Sequence, residues 1–327
     1  YTLSFCKSFT GVNDRMLITL GEQFAMLKAD YERKGIEENL LLSIADGRRK
    51  TLKRAGKEYQ RLSSHIGSFP LVMVSPRDID LIRESGEERR RWMDMVISQS
   101  DPVYLDSLIR YNQALEQRNR LLRDGSVDAT LYDAVEMILD AAADYLHEAR
   151  VRWTEELSAI FARYYEAISA SGEHVALAYE SHLNSAASLR DLLDSSRRHD
   201  EIVRHTSVGP HRDDILMTLD GMPMRRTGSE GQCKTFTIAL RLAQYEFLAR
   251  STGMKPLLLL DDIFDKLDAA RVEKIMTLVA APEFGQIFIT DTNRKHLDEI
   301  IARTGGSDYR LWMVDKGRFN PASIVSK

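Results

Sequence analysis

The stretch that most constrains this chain is Lys255-Pro256-Leu257-Leu258-Leu259-Leu260-Asp261-Asp262. Four leucines after a lysine–proline pair predict a strand buried on both faces, the habit of a parallel sheet in an α/β fold. Two acidic residues then fall where that strand ends, and open α/β sheets bind ligands at the carboxyl ends of their strands. Asp261 there suits a Mg²⁺ ligand, since hard cations take carboxylates together with phosphate oxygens. Asp262 is placed to orient or polarise an attacking water. A strand followed by an ordinary acidic turn is the plainer alternative.

Upstream, Gly228-Ser229-Glu230-Gly231-Gln232 opens a helix whose apolar face reads Phe236, Leu240, Ala243 and Phe247, at helical spacing. A small hydroxyl residue and a glycine at a helix N-terminus form an anion site from free backbone N–H groups and the positive end of the dipole. Ser229 also serves as a plain N-cap with no ligand. Beyond the acidic pair comes Asp268, in Asp265-Lys266-Leu267-Asp268. This order resembles the signature motif, Walker B strand and D-loop of an ABC-type ATPase. Just upstream, Ser207-Val208-Gly209-Pro210-His211-Arg212-Asp213-Asp214 narrows the resemblance. Together these motifs closely resemble the RecF family of bacterial DNA replication and repair ATPases, relatives of the SMC proteins. The resemblance runs along essentially the whole chain.

That resemblance implies an ATPase head with a P-loop NTPase-like sheet and an inserted α-helical lobe, using ATP and Mg²⁺. In ABC ATPases the signature of one subunit completes the nucleotide site of the other. Ser229, Gly231 and Gln232 are therefore expected to touch a partner's ATP in an ATP-dependent homodimer. Asp261 is then the metal ligand, Asp262 acts on water, and Asp268 lies at the dimer seam. Thr290, Asp291 and Thr292 stand where transporters carry a switch histidine, which implies slow hydrolysis. The implied partners are double-stranded and gapped DNA, with RecR and RecO in helping RecA onto single strands. The implied location is the cytoplasm.

Two departures matter. No GxxxxGK[ST] phosphate loop occurs; the only Gly-Lys pair is Gly56-Lys57, without a following Ser or Thr. In the family that loop precedes a helix leading into a segment like Leu3-Ser4-Phe5-Cys6-Lys7-Ser8-Phe9. A P-loop is therefore expected upstream of residue 1, and residues 1–327 alone are expected to be inactive without it. Nor does a glutamine stand in Phe69–Asp78, where ABC ATPases carry the Q-loop.

The remaining sequence divides into 1–83, strand-rich head; 84–205, helical lobe; and 206–327, head with the signature, Walker B and D-loop motifs. In the first part, Ile18 and Phe24–Leu27 suggest strands, Glu32-Arg33-Lys34-Gly35 a turn, and Asp46-Gly47 a hairpin. The return strand carries Arg48, Arg49, Lys50, Lys53, Arg54 and Lys57, a candidate phosphate-tracking patch or a lysine-protected edge. Arg89, Arg90 and Arg91 read as a helix face paired with Glu87, Glu88 and Asp94. Asp101-Pro102 starts a helix and Asp124-Gly125 stops it, with Leu105, Leu108, Asn112, Leu115, Asn119 and Leu122 as its stripe. A second stripe runs Leu131, Val135, Ile138, Ala142, Tyr145, Ala149, Trp153, Leu157, Ile160, Tyr164 and Ile168, a helix of roughly 55 Å. His211 and Arg212 read as well as parts of a structural network as phosphate contacts.

The formal net charge of −4 gives no global signal for nucleic acid, so DNA contact requires a local patch. Two cysteines, Cys6 and Cys233, argue against a disulfide framework. No apolar run approaches the roughly 20 residues of a membrane helix. Three rival readings remain: another ABC-type ATPase subunit, a non-enzymatic DNA-binding scaffold, and a Mg²⁺ nuclease using Asp261 and Asp262. The helical insertion and the absent switch histidine count against a transporter subunit.

Overall fold

The computed structural model describes residues 1–169, 171–186, 188–264, 267–292 and 309–322. After a short helix α1 (Thr2–Phe5), an antiparallel sheet runs in the order β1 (Phe24–Arg33), β2 (Ile36–Ala45), β3 (Thr51–Arg54), β4 (Lys57–Glu58). Lys34 and Gly35 turn β1 into β2 at φ 51° and 74°, the left-handed pair that a two-residue hairpin requires. Leu40, Leu42 and Ile44 alternate inward, and Leu42 and Ile44 meet Leu52 and Cys6 in a small separate core. Ile18 is not in a strand. It follows a single 3₁₀ turn, Asp14–Leu17, which Asn13 caps by accepting from the Met16 N–H.

The chain then passes through β5 (Leu71–Val74), α2 (Asp80–Arg83), α3 (Gly86–Ser100), α4 (Pro102–Asp124) and α5 (Ala129–Ser169). It continues through β6 (Val175–Glu180), α6 (Leu189–Val203), β7 (Asp214–Leu219), β8 (Met222–Pro223) and α7 (Met224–Thr227). The last part holds α8 (Glu230–Thr252), β9 (Leu257–Asp261), α9 (Ala269–Val279), β10 (Ile287–Thr290) and the hairpin β11 (Leu311–Asp315) with β12 (Arg318–Ala322).

Helix α4 begins and ends as its sequence dictates. Asp101 caps it, accepting from the Tyr104 N–H at 2.9 Å, and Gly125 ends it at φ 67°. Its buried face differs from the leucine stripe. Tyr104, Tyr111, Ala114, Arg118 and Leu122 are buried, while Asn112 faces solvent. Helix α5 follows the expected stripe from Ala142 onward. Before that it is turned by one position: Tyr132, Glu136 and Leu139 are buried, and Leu131 and Ile138 are exposed. The cause is a buried ion pair. Arg118 and Glu136 face each other across the helix pair at 2.8 Å with no exposure, and a hydrophobicity pattern assigns both to solvent.

Strands β10, β9 and β5 form the parallel sheet, with β9 in the middle. Helix α8 packs against β5, α3 and α5. It is buried nearly all round rather than along one face, from Phe236 through Leu248. One continuous apolar core joins β5 and β9 to α3, α4, α5, α6, β7, α8 and α9. Apolar packing therefore does not separate 84–205 from the residues that follow. Among the described residues, no helix is long and apolar enough to cross a membrane.

Candidate nucleotide-facing edge

Strand β9 buries Leu258 and Leu260 on one face of the sheet, while Leu257 and Leu259 on the other are only half-buried, so the strand is not sealed on both faces as expected; it delivers Asp261 opposite Thr290. The Thr290 hydroxyl donates to Asp261 Oδ1. The Asp262 N–H donates to the Thr290 carbonyl at 3.0 Å. Asp262 itself sits at φ 50°, a left-handed conformation that ends the strand abruptly and is strained for a side-chain-bearing residue. Ile263 and Phe264 immediately plunge back into the core, so the acidic pair is held as a fixed corner. Asp291 and Thr292 continue from β10 along the same edge, as the pairing of Thr290 with Asp261 requires.

These groups offer carboxylate and hydroxyl oxygens, the donors a hard cation prefers. Among the described residues, no group of three or more His, Cys, Asp or Glu forms a metal cage. The set fits Mg²⁺ held by one or two carboxylates with water and phosphate completing the shell. Of these groups, Asp261 is the carboxylate at the strand end that could hold such an ion.

The start of α8 is built by a reciprocal cap. Ser229 Oγ accepts from the Gln232 N–H at 3.3 Å, and Gln232 Oε1 accepts from the Ser229 N–H at 2.8 Å. Such a capping box fixes the entry to a helix. Gln232 Nε2 also donates to Glu173 at 2.6 Å, and the hydrogen bond from Tyr165 holds the Glu173 carboxyl below its ordinary range. A side chain on Gly228 would meet Met224 Cε at 2.6 Å and Cys233 Sγ at 2.9 Å, so the bare glycine lets those two side chains pack against the backbone. Asp268 caps α9, accepting from the Arg271 N–H at 2.9 Å. Asp265 and Lys266 lie outside the described residues. The Arg271 guanidinium reaches Gly231, so the signature-like and D-loop-like segments share one surface.

A connection behind this edge is not legible in the motif pattern. Asp78 follows β5, accepts from the Ser75 N–H at 3.0 Å and pairs with Arg241 of α8 at 2.7 Å. Arg241 also donates to Gln244 Oε1 at 2.8 Å, which accepts from the Trp92 indole at 2.9 Å. No glutamine stands in this loop, yet a buried ion pair ties it to the helix that carries Ser229. The available signal was Ser75-Pro76-Arg77-Asp78, a helix-start pattern whose acid sits three residues after the serine.

The arginine run follows its expected pairing only in part. Arg91 pairs with Glu87 and Glu88 as expected. Arg89 instead forks onto Asp214 at 2.6 and 2.8 Å, and Arg90 donates to the Asp213 carbonyl at 2.7 Å. His211 lies between the Tyr111 hydroxyl at 2.8 Å and the Thr206 carbonyl at 3.0 Å. Burial pushes its imidazole down to about 4. Arg212 donates to the same carbonyl at 3.1 Å. Asp213 accepts from Arg150 at 2.7 Å and from the Tyr179 hydroxyl. The Gly-Pro-His-Arg-Asp-Asp segment is therefore a junction that fastens the helices to β7.

The six cations near the first sheet do not share one strand. Arg48, Arg49 and Lys50 precede β3, and Lys57 lies beyond the Ala55-Gly56 turn in β4. Lys50 is bound to the Cys6 carbonyl at 2.6 Å and Asp14 at 2.7 Å. Arg54 is bound to Glu38 at 2.6 Å and lies 5.3 Å from the Phe69 ring centre. Arg48, Arg49, Lys53 and Lys57 remain exposed, with Arg49 donating to the Gln60 carbonyl at 3.0 Å.

No protein-family model matches the chain. The DNA replication and repair protein RecF of Parabacteroides distasonis is 48% identical over 319 residues, spanning 98% of this chain and 87% of that protein. The RecF protein of Porphyromonas gingivalis is 47% identical over 317 residues, with 97% and 87% covered. A solved structure of the recombination mediator protein RecF with ATP superposes with a TM-score of 0.85 at 24% identity, covering 98% of this chain and 87% of that one. An Smc head bound to the C-winged helix domain of ScpA shares the fold more distantly, with a TM-score of 0.52 at 13% identity, covering 92% and 74%. With an ATPase-head fold of this kind and close to half its residues in common with RecF proteins along nearly its whole length, the chain belongs to the RecF family of DNA replication and repair proteins.

Proposed function

We propose that this protein is a weak ATPase that dimerises on duplex DNA in an ATP- and Mg²⁺-dependent manner, at gaps, and works with RecR and RecO in loading RecA. Residues 1–83 and 206–327 form the head in this reading, and 84–205 the lobe. The observation that carries it is the arrangement at the carboxyl edge of the sheet. A metal-suited acidic corner and an exposed helix start are both locked by local hydrogen bonds and both open to solvent.

Bound ATP with Mg²⁺ supplies the phosphoanhydride bond and the charge that joins two protomers. Asp261 holds the metal, and the Thr290 hydroxyl orients that carboxylate. Asp262 aligns the attacking water from its fixed corner. Ser229, Gly231 and Gln232 form the face that meets the partner's nucleotide: Gly231 offers its backbone N–H and Ser229 its hydroxyl proton, while the Ser229–Gln232 cap holds the helix start in place. Asp268 faces the seam of a two-fold pair. Thr290, Asp291 and Thr292 hold water without a histidine, which keeps turnover slow. Arg48, Arg49, Lys53 and Lys57 meet the DNA backbone, while Lys50 and Arg54 shape the surface beneath them.

Sedimentation velocity on the full-length protein, with and without ATP and Mg²⁺, tests the clamp. Wild type is expected to dimerise only with nucleotide, and Ser229→Arg to remain monomeric. If nucleotide leaves the wild type monomeric, a non-enzymatic DNA scaffold becomes the better reading.

A further inference from the structure

Arg271 stands on the first turn of α9, where a cation has the wrong sign. The N-terminus of a helix carries partial positive charge, and an arginine there costs stability. Its guanidinium then leans onto a second helix N-terminus. The tip atom Nη1 lies 3.0 Å from the point that a Cβ on Gly231 would occupy. One guanidinium thus lies at the positive ends of both α8 and α9.

The nearby carboxylates only partly offset this. Asp268 approaches Arg271 Nε at 3.5 Å, outside good hydrogen-bond distance, and its other oxygen is engaged by the Arg271 N–H. Glu173 lies close enough for its carboxyl to feel the Arg271 charge. Its oxygens, however, accept from Tyr165 at 2.7 Å, Ser171 at 2.8 Å and Gln232 at 2.6 Å. The Arg271 side chain keeps 28% of its surface exposed. It rests against Gly231, yet is open to a group arriving from outside.

We propose that Arg271 is a phosphate-binding residue of the half-site formed by Ser229, Gly231 and Gln232, and that it contacts the terminal phosphate of a nucleotide held by a second copy of this chain. The inference rests on the trans arrangement proposed above. A polyphosphate oxyanion is the ligand that satisfies two helix N-termini and a planar fork together, and guanidinium matches phosphate bidentately where ammonium does not. Gly231 has a distinct part in this. With no side chain, it leaves the space in which the guanidinium rests. An alanine there would push the flexible arginine tip aside without disturbing backbone.

The test measures ATP-dependent dimerisation of the full-length protein by sedimentation velocity, with melting temperature followed in parallel. Arg271→Ala is expected to weaken nucleotide-driven dimerisation by at least about tenfold while leaving the melting temperature near that of wild type. Arg271→Lys is expected to recover only part of the loss. Gly231→Ala should act in the same direction, and the double variant should be no worse than Arg271→Ala alone, because both remove one contact. If Arg271→Ala dimerises like wild type while Ser229→Arg does not, the assignment of Arg271 is wrong and the trans arrangement stands. If both variants dimerise like wild type, the trans arrangement itself is wrong. A loss in Arg271→Ala that tracks a lowered melting temperature, with Arg271→Lys restoring both, would make Arg271 a structural residue and overturn the proposal.

Discussion

The helical junction and the carboxyl edge of the sheet use the same residue types in opposite ways. At the junction, Arg118 is fully buried between Glu136 at 2.8 Å and Asp200 at 2.7 Å. Arg150 is buried between Asp213 at 2.7 Å and Asp94 at 2.8 Å. These charges have left water, and their stability depends on partners arriving in good geometry. At the edge, Asp261 and Asp262 are half-buried, and Ser229 and Asp268 are more open; Ser229, Asp261 and Asp268 are each steadied by local hydrogen bonds. The first region fixes shape, with its charges committed to one another. The second holds its groups in place while leaving them able to trade water for a ligand.

The largest effect that would break this contrast belongs to Arg118. Arg118→Ala leaves Glu136 and Asp200 without the cation they share, and a loss of about 3–5 kcal/mol is expected in urea denaturation. Asp261→Asn at the edge should change stability by less than about 0.5 kcal/mol. Equal losses in the two variants would mean that the junction charges are not specially committed to the fold.

His211 gives an effect of intermediate size, visible in its pH dependence. Burial, the main cause, depresses its pKa from 6.5 to about 4. Between those values the unfolded chain binds a proton that the folded chain refuses. Stability from this group is therefore complete above pH 6.5 and lost as pH falls toward 4, by roughly 3 kcal/mol in full. Denaturation of wild type and His211→Gln at pH 7 and pH 5 should show a smaller drop in the variant. An identical drop would assign the acid sensitivity to other groups.

The smallest effect should be a gain. Asp262 is held in a left-handed conformation that glycine adopts without strain. Asp262→Gly is expected to raise stability by about 0.5 kcal/mol while abolishing nucleotide turnover, read by melting and by phosphate release. A loss of stability would show that the Asp262 side chain serves the fold rather than the site.

Features that depend on neighbours in the chain are legible from the residues alone. The leucine run and its acidic end, the Ser229 helix start, the Lys34-Gly35 turn, and the ends of α4 at Asp101-Pro102 and Gly125 all follow from backbone stereochemistry and local capping. Tertiary structure alone decided which face of α4 and of early α5 turns inward, because Arg118 and Glu136 are buried only as a pair. It also joined Arg89 to Asp214 and Asp78 to Arg241, partners 125 and 163 residues apart, and laid Arg271 against Gly231. The physical reason is common to all of these. A charge enters a protein interior, or settles at a helix end of its own sign, only when a partner from elsewhere in the chain or a ligand offsets the loss of water, and no local pattern of residues encodes where that partner will be.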